Sequence, residues 1–208
     1  MARSFNVISD FLGRNPFAVW VAVLLVCASC KPVVSGQPIE NDTVTISKPD
    51  ELPYENVRLV LAGEVIQAKL LRDKKPDATV FTIVRDGSVL EREVYSTVGT
   101  TFRLNEIAGV SYDPPVPLVF EPIVVGDTWN WKGNVKSGIQ SLPASCTLQA
   151  TTESLNVAGG PFSSVKIQMK LGMMVDGATA ERMLTFWFVN DRGLVKREVG
   201  AASAREPQ

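Results

Sequence analysis

The chain has no histidine, and only three of its 208 residues are cysteine. The first absence removes the usual general base, the commonest zinc ligand and every Ser-His-Asp or Cys-His arrangement. Catalysis would have to run on carboxylates, Lys or Tyr. The cysteine count argues against a disulfide framework, since Cys27 and Cys30 lie three apart near the start and leave only Cys146. Charge of one sign is missing as well: 21 Lys and Arg stand against 22 Asp and Glu, which gives no basic field for nucleic acid. A GxxxxGK[ST] phosphate loop is absent, and no apolar run reaches the ~20 residues a spanning helix needs. These gaps point away from catalysis, metals and cofactors.

What is present at the start is a layered leader. Arg3 and Arg14 outnumber Asp10, Phe17 to Val26 carry no charge, and small residues follow up to Cys30. A charged region, a short apolar region and small residues make a secretory signal. "ASC" at Ala28, Ser29 and Cys30 resembles the cleavage box of bacterial lipoproteins, although Cys27 stands where that box prefers Leu. Modification at Cys27 would put bulky Val26 beside the scissile bond, so Cys30 is the expected lipidation site. An uncleaved N-terminal anchor is the competing reading. The resemblance implies a signal peptide over 1–29, palmitate or similar chains on Cys30, and a protein anchored to the membrane in the bacterial cell envelope. Lys31 replaces the acidic residue that retains some enteric lipoproteins at the inner membrane, which points to the outer membrane, facing the periplasm. Residues 30–52, with Pro32, Pro38 and Pro49 and no sustained period, are expected to form a flexible tether.

From residue 53 to 200 the pattern has period two. In "SSVKIQMKLGMMV", Val165, Ile167, Met169 and Leu171 alternate with Lys166, Gln168 and Lys170, which wets one face and buries the other. Asp86-Gly87 and Asp176-Gly177 are two-residue hairpin signals, and reversals are also expected at 158–161 and 190–193. The expected fold is mainly β: an antiparallel meander forming a curved sheet or half barrel, in which the stretch around Gly63 favours strands with a bend or bulge and one short helix from about Gly63 to Leu71 is the alternative. Pro114, Pro115, Pro117 and Pro122 cannot donate to a ladder and are expected on an edge or a crossing connection. Residues 201–208 are expected to be a disordered tail.

The pieces "PLVFEPIVVGDTWNWKGNV", "VAGGPFSSVKIQMK" and "FWFVNDRGLVKREV" occur in order between Tyr112 and Val199. Together they resemble bacterial secreted proteins and lipoproteins of the TapB-like type. Val157 precedes Ala158-Gly159 without the usual Pro, and Trp187-Phe188 replaces the usual Trp-Tyr. The resemblance implies a curved antiparallel sheet and supplies no activity.

Alternation puts Trp129 and Trp131 on one face and Phe186 and Phe188 on one face, with Trp187 opposite. Core packing accounts for such aromatics. With Met169 they are also the candidate lining of a site for an apolar or amphiphilic ligand. Glu91 and Glu93 project together, compatible with an acid/base pair but expected on a solvated face beside Arg92. Cys146 is expected to be a buried, inert thiol. The function expected is noncatalytic binding or carriage of an apolar ligand by a membrane-anchored lipoprotein. The alternative is a scaffold that presents an edge or loop to another envelope protein.

Overall fold

Four two-residue reversals, Ala62-Gly63, Asp86-Gly87, Ala108-Gly109 and Asp176-Gly177, share one backbone signature: both residues have positive φ. That is the primed-turn geometry whose twist matches the flanking strands. The computed structural model describes residues 43–44, 56–157, 160–190, 192–200 and 203–207. The expected signal peptide, Cys30 and nearly all of the tether lie outside them.

Among the described residues there are fourteen elements, all of them strands. They are β1 (Thr43–Val44), β2 (Asn56–Leu61), β3 (Glu64–Lys74), β4 (Thr79–Arg85), β5 (Ser88–Val98), β6 (Thr101–Ile107) and β7 (Val110–Phe120). Then come β8 (Ile123–Val124), β9 (Thr128–Ser137), β10 (Gln140–Val157), β11 (Gly160–Val175), β12 (Ala178–Val189), β13 (Gly193–Val199) and β14 (Ser203–Pro207). Twelve strands close an antiparallel barrel in the order β10-β11-β12-β13-β14-β2-β3-β4-β5-β6-β7-β9, while β1 and β8 pair separately. Because neighbours are antiparallel, the four turns with paired positive φ all lie at one end, and β8 lies at the other.

The expected mainly β, antiparallel curved sheet is what the structure shows, closed into a barrel. The segment favoured as strand, with a helix as its alternative, is strand β3, whose Ile66, Ala68 and Leu70 face inward in period two and pair with β2 and β4. One expectation is corrected. The expected disordered tail is β14, with Ser203, Arg205 and Pro207 buried and a ladder to both β13 and β2. It completes the wall that its two neighbours would otherwise leave with open edges.

The interior carries one large apolar cluster. Leu148, Ile167, Met169, Leu184 and Phe186 of the β10–β12 wall are wholly buried, as are Leu59, Ile83, Leu104 and Leu118 of the other strands, within one continuous cluster. Burial of each such side chain is worth about 1.5–3 kcal/mol. The outer face of the β10–β12 wall is wet: Thr147 and Gln149 of β10 stand exposed, and Lys170 of β11 pairs with Glu181 of β12. This is the reverse of a membrane-spanning barrel, whose outer face is apolar.

The second half of β12, Leu184–Val189, is buried on both sides. Phe186 and Phe188 face inward, whereas Trp187 packs outside with Leu155, Val189 and Val195. The Lys166 and Lys196 ammoniums sit 5.7 and 4.7 Å from its ring centroid and keep that outer patch dry beneath charged heads.

Candidate functional site

The densest polar chemistry among the described residues lies inside the barrel. Glu91, Glu93 and Tyr95 share the inward face of β5, separated from β14 by three strands around the wall, and so reach residues of β13 and β14 across the interior. Glu93 Oε1 accepts from Arg197 Nε at 2.9 Å and Arg205 Nε at 2.8 Å, and its Oε2 accepts from Tyr95 Oη at 2.9 Å. Arg205 Nη2 adds a contact of 3.1 Å to Oε2. Glu91 accepts from Ser203 Oγ at 2.6 Å and meets Arg197 Nη2 at 2.7 Å, an ion pair off the hydrogen-bond axis. Ser203 Oγ in turn accepts from Arg197 Nη1. The solvated face expected for Glu91 and Glu93 is therefore corrected: both are buried. The physical reason is pairing, because two carboxylates and two guanidiniums cancel and leave few unmet hydrogen bonds.

Electrostatics fix these charge states. Burial would raise the Glu93 carboxyl, but the Arg205 and Arg197 guanidiniums outweigh it and hold the group down at about 2. Burial and the adjacent Glu93 charge push the Tyr95 phenol well above its ordinary value. Arg197 is held in its charged form despite burial by Glu93 and Glu91. Neither Glu93 nor Tyr95 exchanges a proton near neutrality, so the geometry suits a fixed electrostatic strut across the barrel. Aromatic rings frame it: Tyr95 stacks on Phe102 at 5.1 Å, and Phe102 meets Phe188 edge-on at 5.8 Å. Cys146 is buried, and desolvation pushes its thiol up to about 12, against an opposing contact from the Trp131 backbone. A thiol so protonated is a poor nucleophile.

The residues expected to line a ligand site lie in three places. Met169, Phe186 and Phe188 are in the packed interior. Trp131 is buried beside Tyr112, their rings 6.1 Å apart and edge-on. Its Nε1 donates to Pro114 O at 3.0 Å, and Trp129 Nε1 donates to Pro117 O at 2.8 Å. These indoles do the work of a ladder. β7 pairs with β9 only over Ser111, Tyr112 and Asp113. Beyond that the backbone ladder with β9 ends, and the indole donors reach across to satisfy the Pro114 and Pro117 carbonyls. The expectation that these prolines lie on an edge or crossing is thus corrected: Pro114, Pro115 and Pro117 are inside the barrel wall, between β6 and β9. Gly133 allows that approach, since a Cβ there would fall 2.5 Å from both Asp113 O and the Trp131 ring.

Trp129 alone reaches a surface concavity. It is half-buried, meets Phe120 edge-on at 5.8 Å, and with Pro122, Ile123, Val124 and Asp127 lines a shallow groove beside β8. The loop is held on both sides: Glu121 N donates to Thr100 O at 2.9 Å, and Gly126 N donates to Ala150 O at 2.9 Å. Sequence reasoning missed this groove, because its members are scattered among prolines with no regular period.

No family model matches the chain, and no curated protein matches it. Among the solved structures that are similar are three from bacteria. The hypothetical lipoprotein YmcC from Escherichia coli K12 is 17% identical with a TM-score of 0.45, the match covering 74% of this chain and 82% of that one. A candidate exported protein with a YmcC-like fold from Bacteroides fragilis is 14% identical with a TM-score of 0.42, covering 73% and 91%. A candidate lipoprotein from Parabacteroides distasonis is 12% identical with a TM-score of 0.42, again covering 73% and 91%. Likeness at this level assigns no activity to the chain, and its TapB-like resemblance rests on the three motif pieces alone.

Proposed function

We propose that this chain is a lipid-anchored protein of the bacterial envelope whose barrel serves as a noncatalytic interaction module, not as a carrier. The observation that carries the choice is the ion cluster that crosses the interior. Glu93 of β5 meets Arg197 and Arg205 from across the barrel, and Met169 and Phe186, candidates for a lipid-lined cavity, are wholly buried against other side chains. A carrier would have to break buried ion pairs to admit an acyl chain, at a cost of several kcal/mol. Binding through the outside carries no such cost. The leader ending at Cys30 supports the anchor, with the outer membrane, facing the periplasm, as its place.

Two measurements on full-length protein from its own membranes test the reading. Intact mass is expected to show residues 1–29 removed and acyl chains added at Cys30; an unprocessed leader would sink the anchor. Native mass spectrometry is expected to show a barrel without noncovalent lipid, and repeated recovery of one bound lipid would restore the carrier.

A further inference from the structure

The chain before the barrel touches it at one described place. Thr43 pairs with Val124 and Val44 with Ile123 in an antiparallel ladder between β1 and β8. We propose that β8 and the adjoining Phe120–Trp129 groove are a strand-acceptor site for this chain's own segment Thr43–Ser47, which clips the tether to the barrel.

Three observations support this occupant. The acceptor is preorganised: Ile123 is buried in the core, and the loop around it is bonded to Thr100 at one end and Ala150 at the other. Backbone that is already ordered loses little entropy on receiving a strand. Second, β8 is a two-residue strand outside the barrel ladder, so its backbone has a side free for an added chain. Third, Thr43-Val44-Thr45-Ile46-Ser47 is a run of β-branched residues ended by Ser, inside a segment otherwise rich in Pro, Asn and Asp. Antiparallel register carried past Val44 and Ile123 leads toward Pro122 and Phe120, which border the groove.

The consequence is reach. With the first barrel strand at Asn56, a free tether from Cys30 would extend about 90 Å, whereas one clipped at Thr43 extends about 45 Å. That halving rests on the lipid-anchor reading; the docking itself does not.

Hydrogen exchange on the full-length protein tests the docking. Val44→Pro is expected to speed exchange of the Ile123–Val124 amides by about tenfold, with β10–β12 unchanged, and Val44→Ile to keep it slow. Unchanged exchange at Ile123–Val124 in Val44→Pro overturns the proposal. A photoreactive residue at position 44 gives a second readout: a crosslink to residues 120–129 of the same chain supports it. A crosslink to another chain, or elsewhere on the barrel, overturns it. The intact mass at Cys30 reports the anchor separately.

Discussion

Arg197 and Arg205 stand directly opposite each other on the β13–β14 ladder, and a single carboxylate, that of Glu93, accepts a hydrogen bond from both. Two guanidiniums at that spacing repel, so Glu93 is what allows β14 to lie beside β13. Glu93→Gln is expected to cost about 3–5 kcal/mol of stability, because it leaves two buried cations short of their counter-charge. The urea midpoint, measured with the slope, checks this; a loss under about 1 kcal/mol would mean that the strut contributes little.

Acid should act through the same group. The Glu93 carboxyl falls from an ordinary 4.5 to about 2 on folding, so its contribution is whole above about pH 4.5 and is lost as pH drops toward 2. The loss should be on the order of 3 kcal/mol. Stability titrated from pH 6 to pH 2 in the natural protein and in Glu93→Gln should converge in acid, and parallel curves would contradict the assignment.

Ala62 and Ala108 occupy positive φ at 51° each, a conformation that an L side chain resists. Ala108→Gly is expected to stabilise the barrel by about 1 kcal/mol, as is Ala62→Gly. Thermal unfolding should show a rise of a few degrees for each, and additivity for the pair, whose turns share no partner.

The indole donors of β9 bond to carbonyls of β7 where the backbone ladder between the two strands has ended. Trp131→Phe removes the donor to Pro114 O and is expected to cost about 1–3 kcal/mol. Gly133→Ala should be at least as damaging, because the new methyl would meet backbone and ring at 2.5 Å. Chemical denaturation of the two variants, singly and combined, would show coupling through this shared contact.

Deleting Ser203–Pro207 should remove the barrel's closure. With β14 gone, β13 and β2 keep unpaired backbone, Glu93 loses Arg205, and association through the open edges is expected. Light scattering and sedimentation would detect it; a monomer of undiminished stability would show β14 to be dispensable.

Much of the wall was legible in the chain. The alternation of Val165, Ile167, Met169 and Leu171 with lysines and glutamine is local, and the Asp-Gly pairs state their turn type. The other two primed turns were hidden because Ala rarely accepts positive φ, and Ala62-Gly63 looks like a bend inside a strand or helix. The ion cluster was harder to read. Period two places Glu91, Glu93 and Tyr95 on one face, but their partners are 104 and 112 positions away. A carboxylate sharing a face with a tyrosine, and Arg197 sharing one with Val199, were the available signals. Both fit a wet face equally well until the strands are assembled.

The seam at Val57 and Pro207 joins the first barrel strand to the last. Hairpins elsewhere can zip from their own turns within microseconds, whereas this join must gather distant stretches of backbone and therefore comes late. Until it forms, each molecule is a ribbon with two sticky margins.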